Sequence, residues 1–183
     1  MALKKIMDYR TVLLFSTLAL VIALFRTSAE PQQLSNHDFK KVTITLKSEG
    51  GPCGCVYLDD NDRSCCPAFS VSIDENGTVI YEGQGGVKVR GERVHSIPLR
   101  RVKDLVAEFY KTDFFSLQDR YTQKKLANGR FEEVDHANAT TVSISIDGKI
   151  KSIYVFYGAP QGLIDLQRTI VETSEIGQYL GRA

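Results

Sequence analysis

The chain has 183 residues, with 23 Lys and Arg, 22 Asp and Glu, four cysteines and no tryptophan. Four of the basic residues and one acidic residue lie in the first 29 positions, so the remaining chain carries 19 basic and 21 acidic residues and a net charge of −2. Nucleic-acid binding needs a clustered basic face, so this balance argues against a nucleic-acid partner.

The first 29 residues have the pattern of a secretory signal peptide. Three basic residues precede an uncharged apolar run over 11–25, and Ser28 and Ala29 follow it. The run is shorter than the roughly 20 residues of a spanning helix, so we expect cleavage after Ala29 and no stable membrane span afterwards. An uncleaved inner-membrane anchor, which Arg26 after the run favours, is the alternative.

The expected organisation is therefore a signal peptide over 1–29, a flexible polar lead-in over 30–40 and a single domain over 41–183. A chain of this size can bury enough surface to form one core. We expect the protein to be exported, to the periplasm or the extracellular space.

Four cysteines after a signal peptide indicate disulfides, because exported proteins fold in an oxidising compartment. They lie in two clusters, Cys53 with Cys55 and Cys65 with Cys66. A bond between adjacent Cys65 and Cys66 would strain the peptide between them, so two pairings remain, and both join the clusters. In either pairing, each disulfide closes a short loop and should stabilise the fold by about 3 kcal/mol. Zinc or copper(I) on four thiolates is the alternative, but zinc sites favour two to four residues inside each pair, so we expect no metal and no other cofactor.

Alternating apolar residues predict strands along the domain. The predicted strands, in chain order, are centred on Val42–Leu46, Phe69–Ile73, Val79–Tyr81, Val87–Val89, Val142–Ile146 and Ile150–Phe156. Asn76-Gly77 and Asp147-Gly148 are typical hairpin turns between two pairs of these strands. Val87–Val89 has charged neighbours on its other face, which is typical of an edge strand.

Two helices are predicted from apolar residues at helical spacing. The first covers Pro98–Lys111, with an apolar stripe at Leu99, Val102, Leu105, Val106 and Phe109, and the second follows Pro160 with Leu163, Leu166 and Ile170. Ser70–Asp74 and Ser143–Asp147 are nearly identical, which indicates two repeated strand-turn-strand-helix units. We therefore predict an α+β fold, with an antiparallel sheet of five to six strands and both helices on one face.

Residues 120–138 form the longest stretch without periodicity, and long loops often carry function. Asp119, Tyr121, Asp135 and His136 lie in or beside it and are candidates for acid–base catalysis, as in a hydrolase. No catalytic or phosphate-binding motif supports them. A non-catalytic module that binds an unknown protein or another envelope component is therefore the preferred interpretation, although an enzyme remains the alternative.

Several short segments resemble a bacterial domain-of-unknown-function family of secreted proteins and lipoproteins. The segments are Cys66-Pro67, Val71–Asp74, Asn76–Gly83 with its Val-x-Tyr-x-Gly pattern, Ile97-Pro98, Phe114–Leu117, Asp119–Tyr121 and Tyr157–Pro160. The similarity extends over about 41–180. It implies a compact domain in an exported protein, and it implies no activity.

Mass spectrometry of the protein recovered from its host tests export and cysteine pairing together. We expect a chain that begins at Glu30 and a non-reducing peptide map that joins Cys53 or Cys55 to Cys65 or Cys66. A chain that still begins at Met1 or Ala2 would support the membrane anchor instead. Four free thiols, or stoichiometric zinc, would exclude the disulfides.

Overall fold

The computed structural model describes residues 39–51, 66–135 and 137–180, which all belong to one compact unit. The strands are β1 (Val42–Gly51), β2 (Cys66–Asp74), β3 (Thr78–Gly85), β4 (Gly91–Ser96), β5 (Arg120–Tyr121), β6 (Lys124–Lys125), β7 (Phe131–Glu132), β8 (Thr140–Ile146) and β9 (Lys149–Val155). The helices are α1 (Leu99–Lys111), α2 (Gln161–Thr173) and the single turn α3 (Gly177–Leu180), with a 3-10 turn at Phe114–Ser116. Cys53, Cys55, Cys65 and His136 lie outside the described residues.

Seven of the described strands form one sheet in the order β4-β3-β2-β1-β8-β9-β5. Neighbouring strands are antiparallel, except that β5 runs parallel to β9. The strands β6 and β7 pair with each other in a second, small sheet. The predicted α+β class and mainly antiparallel sheet are confirmed, with seven strands where five to six were expected.

The two predicted hairpin turns form where the sequence places them. The Asp74 carboxylate accepts hydrogen bonds from the backbone N–H groups of Asn76 (2.9 Å) and Thr78 (2.8 Å), while Gly77 adopts a φ of 82°. A side chain at Gly77 would also collide with the carbonyl oxygen of Ile97. Glycine is therefore needed at this turn both for its backbone angle and for the close approach of the chain after β4.

The prediction of a strand at Val87–Val89 is wrong. These residues lie in the bend between β3 and β4, and the edge strand β4 begins only at Gly91. Val87 is buried, the N–H of Val89 donates to the Tyr179 carbonyl (3.1 Å), and the Val89 carbonyl accepts from the Tyr81 hydroxyl (2.9 Å). The apolar residues therefore close the end of the core instead of pairing with β3.

One face of the large sheet carries the alternating buried residues, and α1 and α2 cover it. The helical residues in this core are Val102, Leu105, Val106, Phe109, Leu163, Leu166 and Ile170. Leu99 was predicted to join them but is 49% exposed, because it is the first residue of α1 and lies beyond the edge of the core. No helix in the described part of the chain is long and apolar enough to cross a bilayer.

Replacement of Leu166 tests this packing. Leu166 is 2% exposed, so Leu166→Ala should lower the free energy of unfolding by about 2–5 kcal/mol. Ile164→Ala is the matched control, because Ile164 lies on the same helix but is 40% exposed. Urea denaturation should show a change of less than about 0.5 kcal/mol for the control. Equal losses in the two variants would mean that α2 does not pack as described.

Candidate functional site

The candidate site begins at β5, which lies at one edge of the large sheet. The N–H of Tyr154 donates to the Asp119 carbonyl (2.9 Å), and the N–H of Phe156 donates to the Tyr121 carbonyl (2.8 Å). The Arg120 guanidinium lies 4.4 Å from the centre of the Tyr154 ring. Backbone and side-chain contacts therefore fix the start of the segment over residues 120–138 to β9.

Asp119 is held by a lysine from β9. The ammonium group of Lys151 forms an ion pair with the Asp119 carboxylate and donates to the Leu117 carbonyl (2.7 Å). The Lys151 side chain is only 17% exposed, whereas that of Asp119 is 80% exposed. The contact thus satisfies a largely buried ammonium group and joins the turn before β5 to the sheet.

The other predicted acid–base residues lie in different surroundings. The Tyr121 ring packs against the core, and its hydroxyl oxygen accepts a hydrogen bond from the Gln118 N–H (3.2 Å). Asp135 is exposed, and His136 lies outside the described residues. Within the described part of the chain, no hydrogen bond joins Asp119, Tyr121 and Asp135, so an acid–base role for them stays a prediction.

The segment was predicted to lack regular structure, but it contains a short β-hairpin. Lys124 pairs with Glu132 and Lys125 pairs with Phe131 in an antiparallel register. We call Lys124–Glu132 the basic hairpin. Its turn contains Asn128-Gly129, the one signal in the sequence that could have revealed it. Two-residue strands carry too little alternation to be recognised from periodicity.

The turn of the basic hairpin is closed by several local hydrogen bonds. The Leu126 N–H donates to the Arg130 carbonyl (2.8 Å), and the Gly129 N–H donates to the Leu126 carbonyl (2.9 Å). The Asn128 side-chain oxygen accepts from the Arg130 N–H (3.0 Å), and Gly129 has a φ of 81°. The hairpin therefore has a defined conformation at its exposed end.

The base of the basic hairpin is attached to the turn after β9. The Tyr157 hydroxyl donates a hydrogen bond of 2.6 Å to the Glu132 carboxylate, and the Gln123 side-chain amide donates to the Glu133 carboxylate. Gly158 has a φ of 77°, and a side chain there would collide with the Gln123 carbonyl. Glycine at this position lets the two backbones approach and orients the hairpin.

The segment is also fixed where it returns to the sheet. The Asn138 side-chain amide donates to the Ser48 hydroxyl (2.8 Å), which in turn donates to the Pro67 carbonyl. The N–H of Glu49 donates to the Ala139 carbonyl (2.9 Å). Both ends of the basic hairpin thus lead into anchored backbone.

Most of the charged groups of the basic hairpin are positive. Lys124, Lys125 and Arg130 are exposed, whereas the carboxylate of Glu132 at the base is bonded to Tyr157. Phe131 is 62% exposed. The arrangement presents three cations and an aromatic ring to solvent. Among the described residues, no group of three or more His, Cys, Asp or Glu could hold a metal ion.

Comparison with known proteins gives a family but no function. A model of the domain of unknown function DUF6438 matches residues 64–174. This range runs from just before β2 to just after α2 and includes the basic hairpin, but it leaves out β1. No curated protein matches the chain.

The contact between Tyr157 and Glu132 is tested by titration. The hydrogen bond to the carboxylate favours the neutral phenol and raises the pKa of Tyr157, with smaller contributions from burial and from the negative charge. Glu132→Gln should move this pKa down towards the usual value of about 10, as measured by NMR of the labelled tyrosine ring carbon.

Glu133→Gln is the matched control, because it removes a neighbouring carboxylate but leaves the Tyr157 hydrogen bond in place. It should leave the pKa of Tyr157 raised. The hydrogen bond should hold the hairpin at neutral pH and be lost only when the pH rises through the raised pKa. Equal effects of the two variants would show that the contact does not form.

Proposed function

The chain belongs to the DUF6438 family of domains of unknown function, and we propose that it is a non-catalytic module that binds a partner through the basic hairpin. The observation that carries this proposal is the exposed Phe131, directly opposite Lys125 on a hairpin whose base is fixed to the sheet. Exposed aromatic residues on a rigid scaffold are typical of contact surfaces.

The attachment of the basic hairpin supports this function. A contact element binds more tightly when little conformational freedom is lost on binding. The hydrogen bond from Tyr157 to Glu132 and the close approach at Gly158 restrict the hairpin before any partner arrives. Flexible loops of the same composition would lose more entropy on binding.

We also propose that the domain acts outside the cytoplasm, in the periplasm or the extracellular space, on a protein or another envelope component. The signal-peptide pattern over 1–29 supports export. The register of β1 and β2 places Gly51 opposite Cys66, so a disulfide from Cys66 to Cys53 or Cys55 would close the connection between these strands near its base.

Shortening of the basic hairpin tests the binding function. Lys124 and Glu132 are cross-strand neighbours, so residues 125–131 can be replaced by Asn-Gly as a two-residue turn. The shortened protein should lose capture of its partner from the envelope fraction, measured by quantitative pull-down. Its melting temperature should change little, because the removed residues are mostly exposed.

The matched control is Val94→Ser, which alters an apolar residue of similar exposure (58%) on the opposite edge of the sheet. This variant should retain capture. Full capture by the shortened protein would place the contact surface elsewhere. Turnover of a substrate that is abolished by Asp135→Asn or His136→Ala, in protein that remains folded, would replace the binding module with an acid–base enzyme.

A further inference from the structure

We infer that the basic hairpin binds an anionic lipid surface, with Phe131 in the headgroup region and the three cations next to lipid phosphates. This inference rests on the proposed function and names the chemistry of the partner. It follows from how the side chains are distributed over the two faces of the hairpin and from which charged groups the domain already binds.

The two faces of the basic hairpin differ. Directly opposite residues of an antiparallel pair place their side chains on the same face. Lys124 and Glu132 therefore share one face, which Glu132 attaches to Tyr157. Lys125 and Phe131 share the other face, where Phe131 is 62% exposed. An apolar ring beside a cation on an outward face is the arrangement that suits the boundary between lipid headgroups and acyl chains.

The charged groups of the basic hairpin also differ in whether the domain already binds them. The carboxylates of Glu132 and Glu133 lie at the base, and each accepts a hydrogen bond from the same domain. The ammonium and guanidinium groups of Lys124, Lys125 and Arg130 are exposed. An anionic surface at the face of Lys125 and Phe131 would therefore meet the ring and one ammonium group directly, and the long side chains of Lys124 and Arg130 could extend to it, whereas both carboxylates are bonded to the domain. Each cation near such a surface strengthens binding about fivefold.

The small size of the basic hairpin favours a lipid surface over a folded protein. Stable protein interfaces bury about 800 Å² on each partner. Each partner of such an interface contributes roughly 20–30 residues, whereas the basic hairpin Lys124–Glu132 has nine. A membrane requires no matching surface, because lipids rearrange around one inserted ring and pair with separate cations.

A tryptophan reporter tests the contact directly, since the chain contains no tryptophan. Phe131→Trp places the single reporter in the hairpin, and Val94→Trp places it at a residue of similar exposure on β4. The protein used is the expected mature chain from Glu30, so that the apolar run over 11–25 does not itself bind the vesicles. Vesicles of phosphatidylglycerol and phosphatidylcholine should shift the emission of the Phe131→Trp variant to the blue, and brominated lipids should quench it. The emission of the Val94→Trp variant should change little.

Charge variants test the role of the cations. Combined Lys124→Gln, Lys125→Gln and Arg130→Gln should weaken partitioning onto anionic vesicles about a hundredfold. Combined Lys88→Gln, Arg100→Gln and Arg168→Gln, which removes three exposed cations from other elements, is the matched control and should have a much smaller effect. High salt should weaken binding of the unaltered protein. Thermal melting checks that every variant is folded.

Several results would overturn the inference. Equal binding to vesicles of phosphatidylcholine alone, full binding by the hairpin charge variant, or no emission shift in Phe131→Trp would each exclude an anionic lipid contact. Capture by soluble polyglutamate at the same strength, unaffected by Phe131→Ala, would identify a soluble polyanion as the partner. If the unaltered protein does not bind vesicles, but shortening the hairpin abolishes its capture of an envelope protein, the lipid inference fails and the binding module remains. Full capture of an envelope partner by the protein with the shortened hairpin would instead refute the proposed function itself.

Discussion

The pairing of β1 with β2 on one side and β8 on the other holds the described part of the fold together. Ile44 lies between Ile73 and Ile144 in the register, and all three are fully buried. Within the large sheet, β1 is the strand that joins the two repeated units. Because each unit contributes one helix to the same face, this junction makes a single core from two halves that would each bury little surface alone.

The regular part of this fold could be predicted because its signals are local. Alternation over five or more residues identified β1, β2, β8 and β9, and the shorter alternation of β3 was identified with the help of the turn at Asn76-Gly77. Asp147-Gly148 identified the turn between β8 and β9. The prediction was wrong at Val87–Val89, where two alternating valines close the core without a strand. Short alternations do not distinguish a strand from an unpaired segment that covers the core, because both bury alternate residues and only pairing with a neighbouring strand separates them.

The candidate site could be predicted only as a location. The sequence indicated a functional segment at residues 120–138, but not the basic hairpin within it. Contacts between distant residues, such as Lys151 with Asp119 or Tyr157 with Glu132, have no local signal. They depend on the parallel pairing of β5 with β9, which only the assembled sheet produces. The orientation of the hairpin likewise depends on Gly158, which lies far from it in sequence.

The central position of β1 also bears on the order of folding. Ile44 pairs with Ile144, 100 residues later in the chain, whereas the β2–β3 and β8–β9 hairpins each form between near neighbours. Closure of a sheet through such a long connection costs chain entropy before it gains contacts, so it is slow relative to hairpin formation. If the two hairpins form first, the edges of β2 and β8 remain unpaired until β1 enters between them. Unpaired strand edges can pair with other chains, so aggregation is favoured most before β1 is in place.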